Sequence, residues 1–150
     1  MDGLEIPFWR RIPVLDRHEL LFAYVEKFVV HRKQWEAEWI NDNESGLNGS
    51  QAMTIVLLKR IGPMQAKDLT SYLAISSGGT TVVTDKLIDK GLIRKTQHEK
   101  DRRGIVLELT QAGHDYYPIV EKSWNRVMDA IFSPLTDLEV AILTQLFTKL

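Results

Sequence analysis

The chain has no cysteine among its 150 residues. That excludes disulfides, thiolate metal sites and any thiol redox sensor. It also lacks an apolar run near the ~18 residues needed to span a bilayer. Asp2, Glu5 and Pro7 interrupt the only candidate near the N-terminus, where no signal-peptide pattern is found. A cytoplasmic location is the default expectation, with no membrane as partner. An excess of charge of one sign is missing as well, since 19 Lys/Arg face 20 Asp/Glu for a net −1. The histidines at 18, 31, 98 and 114 are scattered without metal-ligand spacing. No Ser-His-Asp order, phosphate-binding glycine loop or carboxylate pair stands out. The expectation is a protein with no catalytic residues, no cofactor and no metal.

What is present fits one soluble globular domain spanning residues 1–150, with 44% hydrophobic and 26% charged residues. The charges are unevenly placed. Residues 51–110 hold ten Lys/Arg against six Asp/Glu, and the remainder nine against fourteen, giving +4 and −5. For a nucleic-acid partner the distribution matters more than the sum.

That basic third contains the most informative stretch. Gly91 supplies a helix stop, and Leu92-Ile93-Arg94-Lys95 reads as a short strand. Lys100-Asp101-Arg102-Arg103-Gly104 reads as a basic turn, and Ile105–Leu109 as the returning strand. The result is a β-hairpin with cations at its tip. Upstream, a helix opens at Asn48 with Gln51 at capping-box spacing and runs to about Ile61, with Ile55, Leu58 and Ile61 inward. Gly62-Pro63 stops it. A short helix over about 65–73 carries Ala66, Leu69 and Leu73, and a turn follows at Ala74-Ile75. Ser76 or Ser77 then caps a helix reaching Lys90, with Thr80, Val83 and Leu87 on its inner face. Two short helices around a tight turn, followed by a basic hairpin, describe a winged helix-turn-helix that presents itself to DNA.

The flanks are helical. Residues 1–15, with Phe8, Trp9, Ile12, Val14 and Leu15, look like an arm that packs on something. Asp16 caps a long helix to about Trp39 or Ile40, with Leu21, Val25, Phe28, Trp35 and Trp39 at helical spacing and His31 and Arg32 interrupting the stripe. Thr110 caps a helix over about 111–132 that Pro118 should bend, and Thr136 with Glu139 opens a last helix. The fold class expected is mainly α with a small β-hairpin wing. There is no internal repeat and no low-complexity segment.

From about residue 16 to 150 the chain resembles the MarR family of bacterial transcription regulators. The resemblance lies in Leu47-x-x-x-Gln51 with Gly62-Pro63, Lys67-Asp68-Leu69, Ser76-Ser77-Gly78, Asp85-Lys86-Leu87 and Gly91-Leu92-Ile93. It continues through Asp101-Arg102-Arg103, Leu109-Thr110-Gln111-Ala112-Gly113 and Leu135-Thr136-Asp137-x-Glu139. It implies a triangular homodimer in which 1–46 and 111–150 form the dimerisation helices and 47–110 the DNA-binding lobe. It implies further a repressor on a pseudo-palindromic double-stranded operator, with a recognition helix in each major groove and a wing at each flanking minor groove. Many members release DNA when a small aromatic anion enters a pocket between the dimer helices and the DNA-binding lobe. A small aromatic or phenolic effector is therefore the ligand class implied here.

Arg103 corresponds to the family's wing-tip arginine and Asp101 to the carboxylate that orients it. A minor groove narrowed by A·T pairs concentrates negative potential and attracts a guanidinium. Lys100, Arg102, Arg94 and Lys95 add phosphate contacts. On the recognition helix the outward candidates are Ser76, Ser77, Gly78, Thr81 and Val82, with Asp85 and Lys86 one turn on. Members often carry Arg or Asn around positions 82–83, where this chain has two valines. No bidentate purine reader exists in this stretch, so shape readout gains weight. Tyr24, His31, Trp35 and Trp39 lie where the family often builds its effector pocket; the alternative is that the tryptophans pack a dimer interface. A second reading of the whole chain is a winged-helix interaction module with weak or lost operator binding.

Overall fold

The computed structural model describes residues 16–97 and 105–150. The arm at 1–15 and the turn bearing Lys100, Asp101, Arg102 and Arg103 lie outside the described residues. Six helices and one hairpin follow the expected order: α1 (Arg17–Asp42), α2 (Gly49–Arg60), α3 (Ala66–Leu73), α4 (Ser77–Asp89), β1 (Ile93–Gln97), β2 (Ile105–Leu109), α5 (Gln111–Phe132) and α6 (Asp137–Phe147). The chain divides into two units, Met1–Trp35 and Glu36–Leu150.

In the first unit, the Asp16 carboxylate accepts from the His18 and Glu19 backbone N–H groups at 2.7 and 3.0 Å, the cap that starts α1. Leu21, Val25 and Phe28 of the expected apolar stripe are exposed, together with Leu20, Phe22, Val29 and Val30. The helical spacing is therefore present, and among the described residues this face is exposed.

In the second unit, α2 supplies the centre of the core, with Ala52, Ile55, Leu58 and Thr54 buried. Asn48 and Gln51 close a reciprocal capping box at its start, at 2.9 and 3.1 Å. Ile61 is a correction: it is the C-cap residue, half-exposed at 56%, because the helix ends one residue earlier and its side chain leaves the buried stripe. Of Ala66, Leu69 and Leu73 on α3, Ala66 is exposed and Leu73 half-buried, leaving Leu69 as the buried contact.

The hairpin is antiparallel, with Ile93 opposite Leu109, Lys95 opposite Leu107 and Gln97 opposite Ile105. Leu107 also exchanges backbone hydrogen bonds with Met64, at 2.8 and 3.1 Å, so the link between α2 and α3 lies along β2 as one further rung. Ile93, Val106, Leu107 and Leu109 are buried, anchoring the base of the hairpin in the core. Its start is fixed by the end of α4. Gly91 adopts φ +70°, the Gly91 N–H donates to the Ile88 carbonyl at 2.8 Å, and the Leu92 N–H to the Leu87 carbonyl at 3.0 Å. This is a Schellman ending, which satisfies carbonyls that the helix leaves unpaired.

The segment between α1 and α2 is strapped to α5. The Glu44 N–H donates to Ser123 Oγ at 3.1 Å, and Tyr116 Oη donates to the Ser45 carbonyl at 2.5 Å. Arg126 and Lys122 reach the Glu44 carboxylate at 2.5 and 3.2 Å. These cations hold the Glu44 carboxyl below the usual carboxylate range, the Arg126 hydrogen bond most of all. The Trp39 indole is buried, packs edge-on against Trp124 and donates to the Leu47 carbonyl at 3.0 Å. Pro118 sits inside α5, in its third turn, and the helix continues through it. α6 has no buried residue, and Leu138, Ile142, Leu146 and Phe147 are all exposed. Among the described residues, no single helix is long and apolar enough to cross a membrane.

Candidate nucleic-acid interface

The turn between α3 and α4 rests on Ala74, which adopts the left-handed conformation at φ 51°, ψ 39°. Ala carries a steric cost there that glycine avoids. Two residues later Ser76, rather than Ser77, caps α4: its Oγ accepts from the Gly79 N–H at 3.1 Å. Ser50, Thr70 and Thr80 all stand on helices of this lobe, and the last two join α3 to α4 through hydroxyls 2.8 Å apart. Thr80, Val83, Thr84 and Leu87 bury one face of α4. That periodicity turns Ser77, Gly78, Thr81, Val82, Asp85 and Lys86 to the outside, where all six are exposed.

The outward face is chemically unusual for a surface meant for nucleic acid. Gly78 adds no side chain, and Val82 stands one turn on, 55% exposed. The Thr81 hydroxyl donates to the Ser77 carbonyl at 3.1 Å, so its proton is used within the helix. Between Ser76 and Lys90 there is no Arg, Asn or Gln. The four N-terminal N–H groups of a helix and its dipole still favour a phosphate at that end.

The hairpin brings its cations beside this helix. Lys95 Nζ lies 3.5 Å from Asp85 Oδ1, tying β1 to the outward face of α4. Arg94 lies on the other face of the hairpin and meets its cross-strand neighbour Glu108, Nε to Oε1 at 2.7 Å. The two expected phosphate contacts among the described residues thus have carboxylate neighbours that the sequence did not reveal. An exposed pair of this kind is worth about 0–1 kcal/mol, so a phosphate can compete for either cation. Asp85 was expected on the outward face of α4, but not as a neighbour of Lys95. Only the fold, which sets β1 against α4, brings it into play.

The residues expected to form an effector pocket separate into two environments. Tyr24 stacks on Phe28 with ring centroids 6.0 Å apart, and His31 meets Trp35 edge-on at 6.4 Å, all on the α1 segment of the first unit. Trp39 belongs to the core of the second unit, with its indole N–H already bonded. Among the described residues, no group of three or more His, Asp or Glu could hold a metal ion.

Comparison with known proteins agrees with this geometry. The MarR family profile matches residues 47–105, which run from the start of α2 to the start of β2. The chain is 27% identical over 107 residues to the transcriptional repressor MdtR of Bacillus subtilis, covering 70% or so of each chain (71% here, 69% there). Its fold matches that of a mutant MarR from Escherichia coli complexed with operator DNA, with TM-score 0.73, 18% identity, and 90% and 98% of the two chains covered. It matches equally that of BpsR from Bordetella bronchiseptica, a protein whose DNA binding is regulated by 6-hydroxynicotinic acid, with TM-score 0.73, 18% identity, and 85% and 97% covered. A helix-turn-helix with a hairpin set beside its second helix, carried by a sequence whose residues 47–105 match the MarR family profile, makes this chain similar to the winged helix-turn-helix transcriptional regulators of that family.

Proposed function

We propose that this regulator is a homodimeric, effector-responsive repressor of a pseudo-palindromic operator. One α4 enters the major groove at each half-site, and each hairpin turn reaches the adjoining minor groove. The DNA contacts in this reading come from Ser76, Ser77, Gly78, Thr81, Val82 and Lys86 of α4 and from Arg94 and Lys95 of β1. Lys100, Asp101, Arg102 and Arg103 of the turn complete them, with Arg103 as the minor-groove anchor. No catalytic step is assigned, and the cytoplasm is where such a protein meets DNA.

The observation that carries this reading is the exposed face of α4 with Lys95 set beside it. Dimerisation is supported by α6, whose apolar side chains are exposed along its length, Leu138 to 70%. A face of that kind is covered in stable assemblies, most often by a symmetric second copy. Repression is proposed by analogy with MdtR, and effector response by analogy with BpsR. Tyr24, His31 and Trp35 offer aromatic faces and an imidazole to a small aromatic acid or phenol; Trp39, held in the core, is left out.

A gel-shift series with DNA from upstream of this protein's own coding sequence tests the reading. A discrete complex whose affinity falls steeply with salt is expected. Arg103→Ala should weaken it mainly through the A·T pairs flanking each half-site. Wild-type affinity in Arg103→Ala would remove the minor-groove assignment. No complex at low salt, with the dimer intact, would favour an interaction module instead.

A further inference from the structure

We propose that Val82 determines specificity by reading the 5-methyl group of thymine in the major groove, and that half-site recognition rests on this apolar contact rather than on hydrogen bonds to purines. The inference rests on α4 being the major-groove element, and it names the base chemistry that element takes.

Side-chain geometry leaves few alternatives. The outward side of α4 carries Ser77, Gly78, Thr81, Val82, Asp85 and Lys86, and Val82 is the first wholly apolar side chain to project there. A Cβ built on Gly78 would meet only Ser76 Oγ at 3.9 Å, so the space in front of Val82 is open. The polar neighbours have other partners. Ser76 Oγ caps the helix, Thr81 Oγ1 bonds the Ser77 carbonyl, and Asp85 faces Lys95. No Arg, Lys, Asn or Gln occurs from Ser76 to Thr84, so within the first two turns of α4 no side chain can grip guanine or adenine with two hydrogen bonds at once; Lys86 follows in the third turn. Val82 brings two methyl groups, held by a β-branched side chain with few rotamers in a helix. Among the groups that base pairs display in the major groove, thymine's methyl is the apolar one. A stiff apolar knob presented to that groove gains most against it. A hydrogen-bonding edge set against Val82 would instead lose its water without replacement.

The test uses the full-length protein and duplexes selected from a random double-stranded library. The selected half-site is resynthesised with deoxyuridine in place of thymine, one position at a time. Uracil differs only by the missing methyl, whose burial corresponds to roughly fourfold in affinity. One position in each half-site is expected to lose about three- to tenfold with uracil. In Val82→Ala that thymine-to-uracil ratio should fall below about twofold, while circular dichroism shows the helix content unchanged, as befits an exposed side chain. Equal binding of thymine and uracil duplexes, in a salt-sensitive specific complex, would overturn the inference and leave the groove assignment of α4 standing. A full thymine-to-uracil ratio retained by Val82→Ala would also overturn it. A library that yields no enriched sequence would remove the operator-binding reading, and this inference with it.

Discussion

Lys95 and Asp85, 3.5 Å apart, join the first strand of the hairpin to the outward face of the recognition helix. Each side chain is 54% exposed, so the pair adds little to stability, and its effect is on charge. In the proposed complex, Asp85 places a negative group on the DNA-facing side of α4 and holds a cation that would otherwise meet a phosphate. Asp85→Asn is expected to tighten DNA binding severalfold at low salt and to steepen the salt dependence by about one unit in log–log slope. Lys95→Ala should do the reverse. The melting temperature of either variant should stay within the shift of about 0.5 kcal/mol usual for surface changes. Unchanged salt slopes in both variants would mean that neither group faces the DNA.

Gly113 is held to glycine by its neighbour rather than by its own backbone angles. A Cβ at that position would collide with the Leu92 carbonyl, which accepts from the Thr110 N–H at 3.1 Å. Thr110 in turn caps α5 through the Gly113 N–H at 3.0 Å and donates its hydroxyl to the Gly91 carbonyl at 2.5 Å. The end of α4, the start of β1 and the start of α5 meet here within one hydrogen-bonded knot. Gly113→Ala must push backbone apart to fit, at a cost of about 3 kcal/mol or more. Urea unfolding monitored by tryptophan fluorescence measures it directly; a loss under about 0.5 kcal/mol would disprove the close approach.

The same knot shows what a sequence can and cannot reveal. Caps are local, so Asn48 with Gln51 and Thr136 with Glu139 were legible as helix starts and form reciprocal boxes in the structure. The positive φ at Gly91 was legible for the same reason. Ile61 misled because apolar spacing does not announce the residue at which a helix stops burying its face. The Met64–Leu107 rung, the Gly113–Leu92 contact and the Asp85–Lys95 pair join residues distant in sequence, and no local pattern encodes them. The α4 face was readable in advance because Thr80, Val83 and Leu87 share one helical period. The ion pairs of Arg94 and Lys95 were not, since they depend on strand register and on where the hairpin lies against the helix.

Acid stability should register the strap between Glu44 and α5. Hydrogen bonds and charge from Arg126 and then Lys122 hold the Glu44 carboxyl below its ordinary value, and the Thr136 cap lowers Glu139 in the same direction. A group whose folded-state value is depressed binds more protons when unfolded, so its contribution is complete above about pH 4.3 and is lost as pH falls through the lower folded value. Stability is therefore expected to decline below that point. In Glu44→Gln the amide cannot ionise, so the decline should be shallower while the melting temperature at neutral pH drops slightly. Arg126 also reaches Asp42 at 3.5 Å, so the variant leaves it a partner and the fold should persist. High salt should narrow the difference between wild type and variant, because the groups involved are solvent-accessible and screened. Superimposable pH–stability curves for the two proteins would show that Glu44 is equally ionisable folded and unfolded, and that the strap is held by the Ser123 and Tyr116 hydrogen bonds alone.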